Sequence, residues 1–270
     1  HAMTDQTNQA SQPRRFRVVL AEQGMTLRQV LRRRFSELSQ RGQAAALIQS
    51  GGVYLDNIRV PISSTRVIEG ERITVYLDGA TRQKLDPAEL VLLARGSDYL
   101  VVDKPAGVLL RADRVSARGT ISEALVTLLK GEGFARPYVG VVHPLPGFVR
   151  GAALFSIRDQ NSRSMLRSFT AQPCTRRFHI QVTQAPAPEW QATDFKFELR
   201  APDLVEVEAP ATVTVEHLIS ALQAQGLLDP QTTQPLTACT AIELVHPISG
   251  EEIFVSASSP SWADCQQNQA

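Results

Sequence analysis

The chain has 270 residues, of which 43% are hydrophobic and 20% are charged, and its formal net charge is +1. This composition is that of a globular protein, which excludes the highly charged, apolar-poor class that stays disordered. No apolar run approaches the roughly 20 residues that cross a bilayer, and the N-terminal stretch has no hydrophobic signal core, so we expect no membrane partner and a cytoplasmic location. The length suits one larger domain and one smaller domain.

The cysteines and the N-terminus add two further expectations. The opening residues His1, Ala2 and Met3 resemble a cleavage scar, and the polar stretch 1–12 is predicted to be a tag remnant and a disordered tail. Three cysteines have no metal-ligand spacing, which suits a reducing compartment and argues against structural zinc; they are Cys174, Cys239 and Cys265. We predict no metal and no cofactor, and the sequence does not determine the oligomeric state.

Arginine is concentrated near the start of the chain, where no lysine precedes Lys84. Arginine engages phosphate groups in a bidentate manner and stacks on bases, so the cluster indicates RNA. The alternative is an ordinary solvated helix face. The residues proposed for RNA contact in this part of the chain are Arg28, Arg32, Arg33, Arg34 and Arg41.

Residues 13–78 carry the pattern of a small helix-and-strand domain. The spacing of Leu27, Val30, Leu31 and Phe35 predicts one apolar face of a helix, with Thr26 as its N-cap. A second short helix is predicted over 44–49, and strands over 53–55, 58–60 and 73–77. A polar stretch over 79–89 is typical of a linker.

The remaining segment, 90–265, alternates β-rich runs with helices predicted at Ser122–Lys130, Asp159–Phe169 and Val215–Gln225. No regular βαβ rhythm and no internal repeat is present. This pattern favours an α+β domain with a mixed or antiparallel sheet.

Five segments of this larger domain follow one another in the order of known motifs. The stretch Val142–Gly151, V-H-P-L-P-G-F-V-R-G, resembles the H-R-L-D-x-x-T-S-G signature of RluA-type RNA pseudouridine synthases. Lys104 and its neighbours resemble the turn N-K-P-A-G of that family. The other matching segments are Thr175–Val182 (K-R-Y-x-A-x-V), Glu216–Leu222 (H-Q-I-R-x-H-L) and Leu244–Glu252 (L-x-H-P-x-T-G-E).

The resemblance implies a catalytic site in which three of the family's functional residues are replaced. The family's catalytic Asp falls on Pro146, its active-site Tyr on Phe178 and its Arg on Ile219. Removing one member of a buried ion pair is strongly destabilising, by about 3–5 kcal/mol, whereas replacing both by apolar groups can be neutral. The joint loss therefore predicts a pseudoenzyme, with Pro146, Phe178 and Ile219 around one cleft.

Two alternatives remain open. A displaced nucleophile would leave an active synthase that isomerises uridine in rRNA or tRNA, and the candidates are Asp103, Asp113 and Asp159. A protein-interaction scaffold without RNA binding is the other alternative, because the net charge is near neutral.

The smaller domain carries a second resemblance. Ala46–Asn57, followed by Gly70–Ile73, is similar to the RNA-binding fold of ribosomal protein S4 type, which precedes the catalytic domain in many RluA-type synthases. Gln49 and Gly52 occupy positions that are often basic there. The resemblance implies structured RNA of ribosomal type as the partner. Arg176 and Arg177 of the larger domain are also proposed RNA contacts, on the expectation that they line one face with the N-terminal arginines.

Overall fold

The structure is a computed structural model. It describes residues 12–80, 82–170, 174–184 and 192–264. The predicted tail up to residue 11 and Cys265 lie outside the described residues. The chain divides into two compact units: the first is the described chain up to Lys84 together with Arg111–Thr120, and the second is Leu85–Leu110 with the described chain from Ile121 onward.

The first unit combines short helices with an antiparallel sheet. Its helices are α1 (Leu27–Arg34) and α2 (Gln43–Ser50), and its strands are β1 (Arg14–Arg17), β2 (Val53–Leu55), β3 (Ile58–Arg59) and β4 (Arg72–Val75). The strand order is β1-β4-β2-β3, and every neighbouring pair is antiparallel.

The local signals in the first unit are confirmed. Thr26 Oγ1 accepts a hydrogen bond from the Gln29 backbone N–H at 3.3 Å, and Gln29 Oε1 accepts one from Thr26 N–H at 2.8 Å, which closes a capping box. The predicted apolar face of α1 is buried, and Gly51 ends α2 with a φ of +90°. The core of this unit contains Leu27, Val30, Leu31, Phe35, Leu47, Ile48, Val53, Ile73 and Val75.

The second unit is built on one mixed sheet flanked by helices. Its helices are α3 (Ile121–Gly131), α4 (Asp159–Thr170), α5 (Val215–Ala224) and α6 (Ser261–Asp264). Its strands are β5 (Val91–Arg95), β6 (Tyr99–Lys104), β7 (Gly140–Val141), β8 (Arg150–Ser156), β9 (Cys174–Gln181), β10 (Lys196–Ala201), β11 (Leu204–Pro210), β12 (Thr237–Val245) and β13 (Glu252–Ser256).

The strand order of this sheet is β10-β11-β9-β12-β8-β6-β5, with β13 paired to β12 and β7 paired to β8. The pair β12 and β8 is parallel, while β9 and β11 both pair in the antiparallel sense. The predicted α+β class with a mixed sheet is confirmed, and each of the three helices predicted for this domain lies within two residues of its predicted ends.

The segment Arg111–Thr120 differs from its predicted assignment. Sequence patterning places it inside the larger domain 90–265, whereas in the structure it packs with the first unit. Within the described ranges, no helix combines the length and the apolar character needed to span a membrane.

Candidate functional site

The loop that joins β7 to β8 carries the degenerate signature, and a buried lysine holds it in place. Lys104, at the end of β6, has no solvent exposure. Its Nζ donates hydrogen bonds to the carbonyl oxygens of Pro105 at 3.0 Å, Gly147 at 2.7 Å and Val149 at 2.6 Å. Three acceptors match the three N–H groups of an ammonium. Burial lowers the pKa of Lys104 to about 7.

The turn after Lys104 also contacts the loop. Gly107, at a φ of +85°, donates its N–H to the Gly147 carbonyl at 2.8 Å. Val149 N–H donates to the Pro146 carbonyl at 3.1 Å, which closes a tight turn over Pro146. Pro146 is half-buried and has no ionisable group. The loop therefore has a defined shape without a nucleophile at the signature position.

The loop ends at a glycine that no other residue could replace without displacement. Gly151 has a φ of +105°, and a Cβ added there would lie 2.1 Å from the Cys239 carbonyl oxygen. At this point Arg150 and Gly151 of β8 pair with Ala238 and Cys239 of β12 in the parallel sense. Glycine is required because the two backbones approach too closely for a side chain.

A buried arginine fixes the other end of the loop. Arg176, on the inward face of β9, donates from one terminal nitrogen to His143 Nε2 at 3.1 Å. Its other terminal nitrogen donates to the carbonyls of Pro210 at 3.4 Å, Ala211 at 3.2 Å and Val213. Since His143 Nε2 accepts, the proton of the neutral ring is on Nδ1, and complete burial lowers the pKa of His143 well below its usual value.

Aromatic rings complete the surroundings of this guanidinium. Arg176 Cζ lies 5.7 Å from the ring centroid of Phe169 and 5.3 Å from that of Phe178, within cation–π range. Within the described residues, no carboxylate comes within 4.0 Å of Arg176 or of Lys104. The positive charge of each buried side chain is therefore stabilised by carbonyl oxygens, and that of Arg176 also by aromatic rings. Their hydrogen bonds hold the backbone of the surrounding loops in place.

The predicted positions Phe178 and Ile219 both belong to the core of the second unit. Phe178 has no solvent exposure and lies in register between Val207 of β11 and Cys239 of β12. Its ring faces a guanidinium, so in this conformation it is not available to stack on a base. Ile219 is buried on α5. That Pro146 meets these two residues at one cleft stays a prediction.

The alternative nucleophiles have other environments. Asp103 lies 4.0 Å from the Arg150 guanidinium, and burial raises its pKa despite that charge. Asp113 forms a 2.9 Å ion pair with Arg82 and accepts backbone N–H groups within its own turn. Asp159 is exposed at the first turn of α4, where a carboxylate is ordinary.

The arginines predicted to contact RNA in the first unit fall into two groups. Arg28, Arg33 and Arg41 are exposed, and Arg32 is exposed while it donates to the Ser39 carbonyl at 3.2 Å. Their side chains are open to a ligand.

Arg34 has a structural partner instead. It makes a bidentate contact to Glu22, with distances of 2.6 and 2.8 Å. Glu22 is buried, and the hydrogen bond from Arg34 lowers its pKa. The guanidinium also lies over the Phe16 ring at 5.0 Å. Arg34 therefore stabilises the first unit, and a phosphate would have to compete with a buried carboxylate.

The two arginines predicted in the second unit point to opposite faces of β9. Arg176 is buried and does not form part of any exposed basic surface. Arg177 is half-exposed, but its guanidinium lies 3.8 Å from Glu206 and 3.7 Å from Glu208. The strand alternates faces, so two adjacent arginines cannot line one surface.

The motif H-P-x-S-G at His246–Gly250 has a structural role that the sequence did not indicate. His246 Nε2 donates to Asp98 Oδ1 at 2.9 Å, and both side chains are buried. His246 Nδ1 accepts the backbone N–H groups of Ile248 and Ser249, and Asn161 donates to the other oxygen of Asp98 at 2.9 Å. The motif H-P-x-S-G thus ties the turn after β12 to the turn between β5 and β6.

Comparison with known proteins gives similarity to solved structures. No family model matches the chain, and no curated protein matches it. The structure is similar to "Human RNA Pseudouridylate Synthase Domain Containing 4", with a TM-score of 0.48 and 12% identity over 64% of this chain and 90% of that one. It is also similar to "Human RNA Pseudouridylate Synthase Domain Containing 1", with a TM-score of 0.46 and 16% identity over 66% and 86% of the two chains. A third similar structure is titled "Crystal structure of pseudouridylate synthase", with a TM-score of 0.38 and 15% identity over 88% and 98%.

Proposed function

We propose that this protein is an RNA-binding pseudoenzyme of the RluA pseudouridine synthase type, with an S4-like N-terminal module, that does not isomerise uridine. The observation that carries the proposal is the loop between β7 and β8. Its supports are Lys104, Gly107, Gly151 and the contact of Arg176 with His143, and the residue at its centre is Pro146.

The chemistry explains why this combination matters. Pseudouridine formation breaks a glycosidic C–N bond and rejoins the base through carbon, which in this family requires an ionised Asp. Proline offers no nucleophile, acid or base. Ile219 supplies no guanidinium to keep a carboxylate ionised, and the ring of Phe178 is covered.

RNA binding is supported by the first unit. Arg28, Arg32, Arg33 and Arg41 are exposed there. Each phosphate contact contributes about 0.9 to the slope of log affinity against log salt for a duplex, and about 0.7 for a single strand. The partner we propose is structured RNA of ribosomal type.

The activity test uses RNA that carries tritium at carbon 5 of uridine, with the unaltered chain, Pro146→Asp, and the triple variant Pro146→Asp, Phe178→Tyr, Ile219→Arg. We expect no tritium release above background from any of them, because the loop also lacks the Thr-Ser pair that precedes the glycine in the family. Turnover by the unaltered chain would make it an active synthase and end the pseudoenzyme proposal.

The binding test measures a shift of a labelled ribosomal RNA fragment at several salt concentrations. The double variant Arg32→Gln, Arg33→Gln should flatten the salt slope. The matched control is Arg163→Gln, Arg167→Gln, which removes the same charge from exposed positions on α4. No binding at low salt by the unaltered chain would leave the scaffold alternative.

A further inference from the structure

The segment Arg111–Thr120 belongs to the first unit, although the chain on both sides of it belongs to the second. The chain therefore passes between the two units three times, after Lys84, after Leu110 and after Thr120. A terminal domain joined through a single linker needs only one such passage. The first unit is thus built from two separate pieces of the chain, and we call the shorter piece, Arg111–Thr120, the strap.

The strap is hydrogen-bonded to the end of α2 and to strand β2. Ala117 N–H donates to the Ser50 carbonyl at 2.7 Å, where α2 ends. The Tyr54 hydroxyl donates to the Arg114 carbonyl at 2.9 Å. Both bonds use the backbone of the strap, so they fix its course and not only its side chains.

Asp113 gives the strap a defined turn and connects that turn to the rest of the unit. Its Oδ1 accepts the backbone N–H groups of Val115 and Ser116, each at 2.8 Å. Its Oδ2 accepts from Arg82 at 2.9 Å, and its backbone carbonyl accepts from Arg59. The turn is therefore ordered by the same carboxylate that binds it to the unit.

Glycines leave the space that the strap fills. A Cβ added at Gly79 would lie 2.4 Å from the Val115 carbonyl oxygen, and one at Gly51 would lie 2.8 Å from Ala117 Cβ. A Cβ at Gly52 would lie 3.3 Å from the same Val115 oxygen. Val115 itself is buried. Most loops run over a protein surface, whereas this one is packed as part of the interior of the first unit.

Both ends of the strap are fixed within the second unit. Ile121 N–H donates to the Leu109 carbonyl at 3.0 Å, and Ser122 N–H donates to the Leu110 carbonyl at 2.8 Å. These N–H groups are at the start of α3, where a helix offers them no internal partner. Leu110 and Ile121 are buried in the core of the second unit. The ends of the strap therefore keep their positions only while that core is folded.

We propose that the strap makes the fold of the first unit conditional on the fold of the second. While the second unit is folded, the ends of the strap are held and only the strap itself has to be ordered. When the second unit unfolds, the strap lies in a chain that is free from Leu85 onward, and closing that longer loop costs additional entropy. A domain as small as the first unit buries a small fraction of its surface and is marginally stable, so we expect it to unfold when it loses the strap.

The test uses hydrogen exchange of the full chain, read by mass spectrometry in peptides from α1, α2 and β4 for the first unit and from β8 and β12 for the second. One variant is Val115→Asp, and the other replaces the strap residue for residue by Gly and Ser, which keeps its length. In both, we expect first-unit amides to exchange about 10–100-fold faster, as for the loss of one buried valine, and second-unit amides to be unchanged. Ala112→Asp adds the same charge at an exposed position of the strap and should exchange like the unaltered chain.

A second measurement tests the dependence on the second unit. Gly151→Ala and His246→Ala both weaken the second unit at positions outside the strap. At a urea concentration that unfolds the second unit of either variant but leaves both units of the unaltered chain protected, the first unit of that variant should lose its protection as well. It should then exchange as fast as the first unit of the Gly/Ser replacement.

Three results would overturn the proposal. The first is a first unit that stays protected after the second unit has unfolded. The second is a Gly/Ser replacement whose first unit exchanges as slowly as that of the unaltered chain. The third is equal acceleration of both units in the Gly/Ser replacement, because this would show one cooperative core instead of a conditional one.

Discussion

Replacing Gly151 with alanine would place a methyl group where the structure has a carbonyl oxygen. The new Cβ would lie 2.1 Å from the oxygen of Cys239, and the φ of +105° is strained for any residue with a side chain. Such backbone strain costs about 1–3 kcal/mol. Moving the carbonyl away would break the local pairing of β8 with β12, and a buried group left unsatisfied costs about 1–3 kcal/mol more. We expect Gly151→Ala to lower the free energy of unfolding by roughly 2–6 kcal/mol.

Alanine substitutions at two other glycines separate the cost of backbone strain from the cost of the steric clash. Gly250 has a φ of +72° and no atom within 4 Å of an added Cβ, so Gly250→Ala measures backbone strain alone, about 1–2 kcal/mol. At Gly147 an added Cβ would meet only the end of the Leu109 side chain at 3.3 Å, and we expect less than about 1 kcal/mol. Urea denaturation followed by circular dichroism gives all three values. If Gly151→Ala proves no more destabilising than Gly250→Ala, the close approach of β8 to β12 that holds the loop is refuted.

Three further predictions concern buried or degenerate positions. Burial lowers the pKa of Lys104 from 10.5 to about 7, so the folded chain binds fewer protons than the unfolded chain between those values. The free energy of unfolding of the unaltered chain, relative to that of Lys104→Met, should therefore rise from pH 7 toward pH 10 and be lost as the pH falls back to 7. A difference between the two chains that does not vary with pH would contradict this. His246→Ala should cost about 2–3 kcal/mol in denaturant, against less than about 0.5 kcal/mol for His217→Ala at an exposed ion pair. Pro146→Asp should form no pseudouridine, because its predicted neighbour Ile219 offers no guanidinium and the pKa of the carboxyl would rise by desolvation; activity in this single variant would disprove that reason.

Local signals in the sequence were sufficient for most elements of the fold. The spacing of Leu27, Val30 and Leu31 and the cap at Thr26 act over a few residues, and each lies where predicted. The α+β class followed from the same patterns because β-rich runs alternate with helices without a βαβ rhythm.

The candidate site was predicted less completely. The sequence located the loop around Pro146, but it treated Lys104 only as part of a turn and Arg176 as an RNA contact. Their roles depend on acceptors far along the chain, the carbonyls of Val149 and Val213. A residue type gives a side chain's charge, whereas burial and partners come from packing between segments.

What the sequence determined by itself was the position of five helices and several strands, the α+β class and the absence of a nucleophile at residue 146. Only the tertiary structure decided that Arg176 faces inward while Arg177 faces solvent, because strand alternation gives two faces and packing chooses which one is buried. Only the tertiary structure placed Arg111–Thr120 in the first unit. Contacts between distant residues have no local periodicity, and their positions follow from the whole chain folding together.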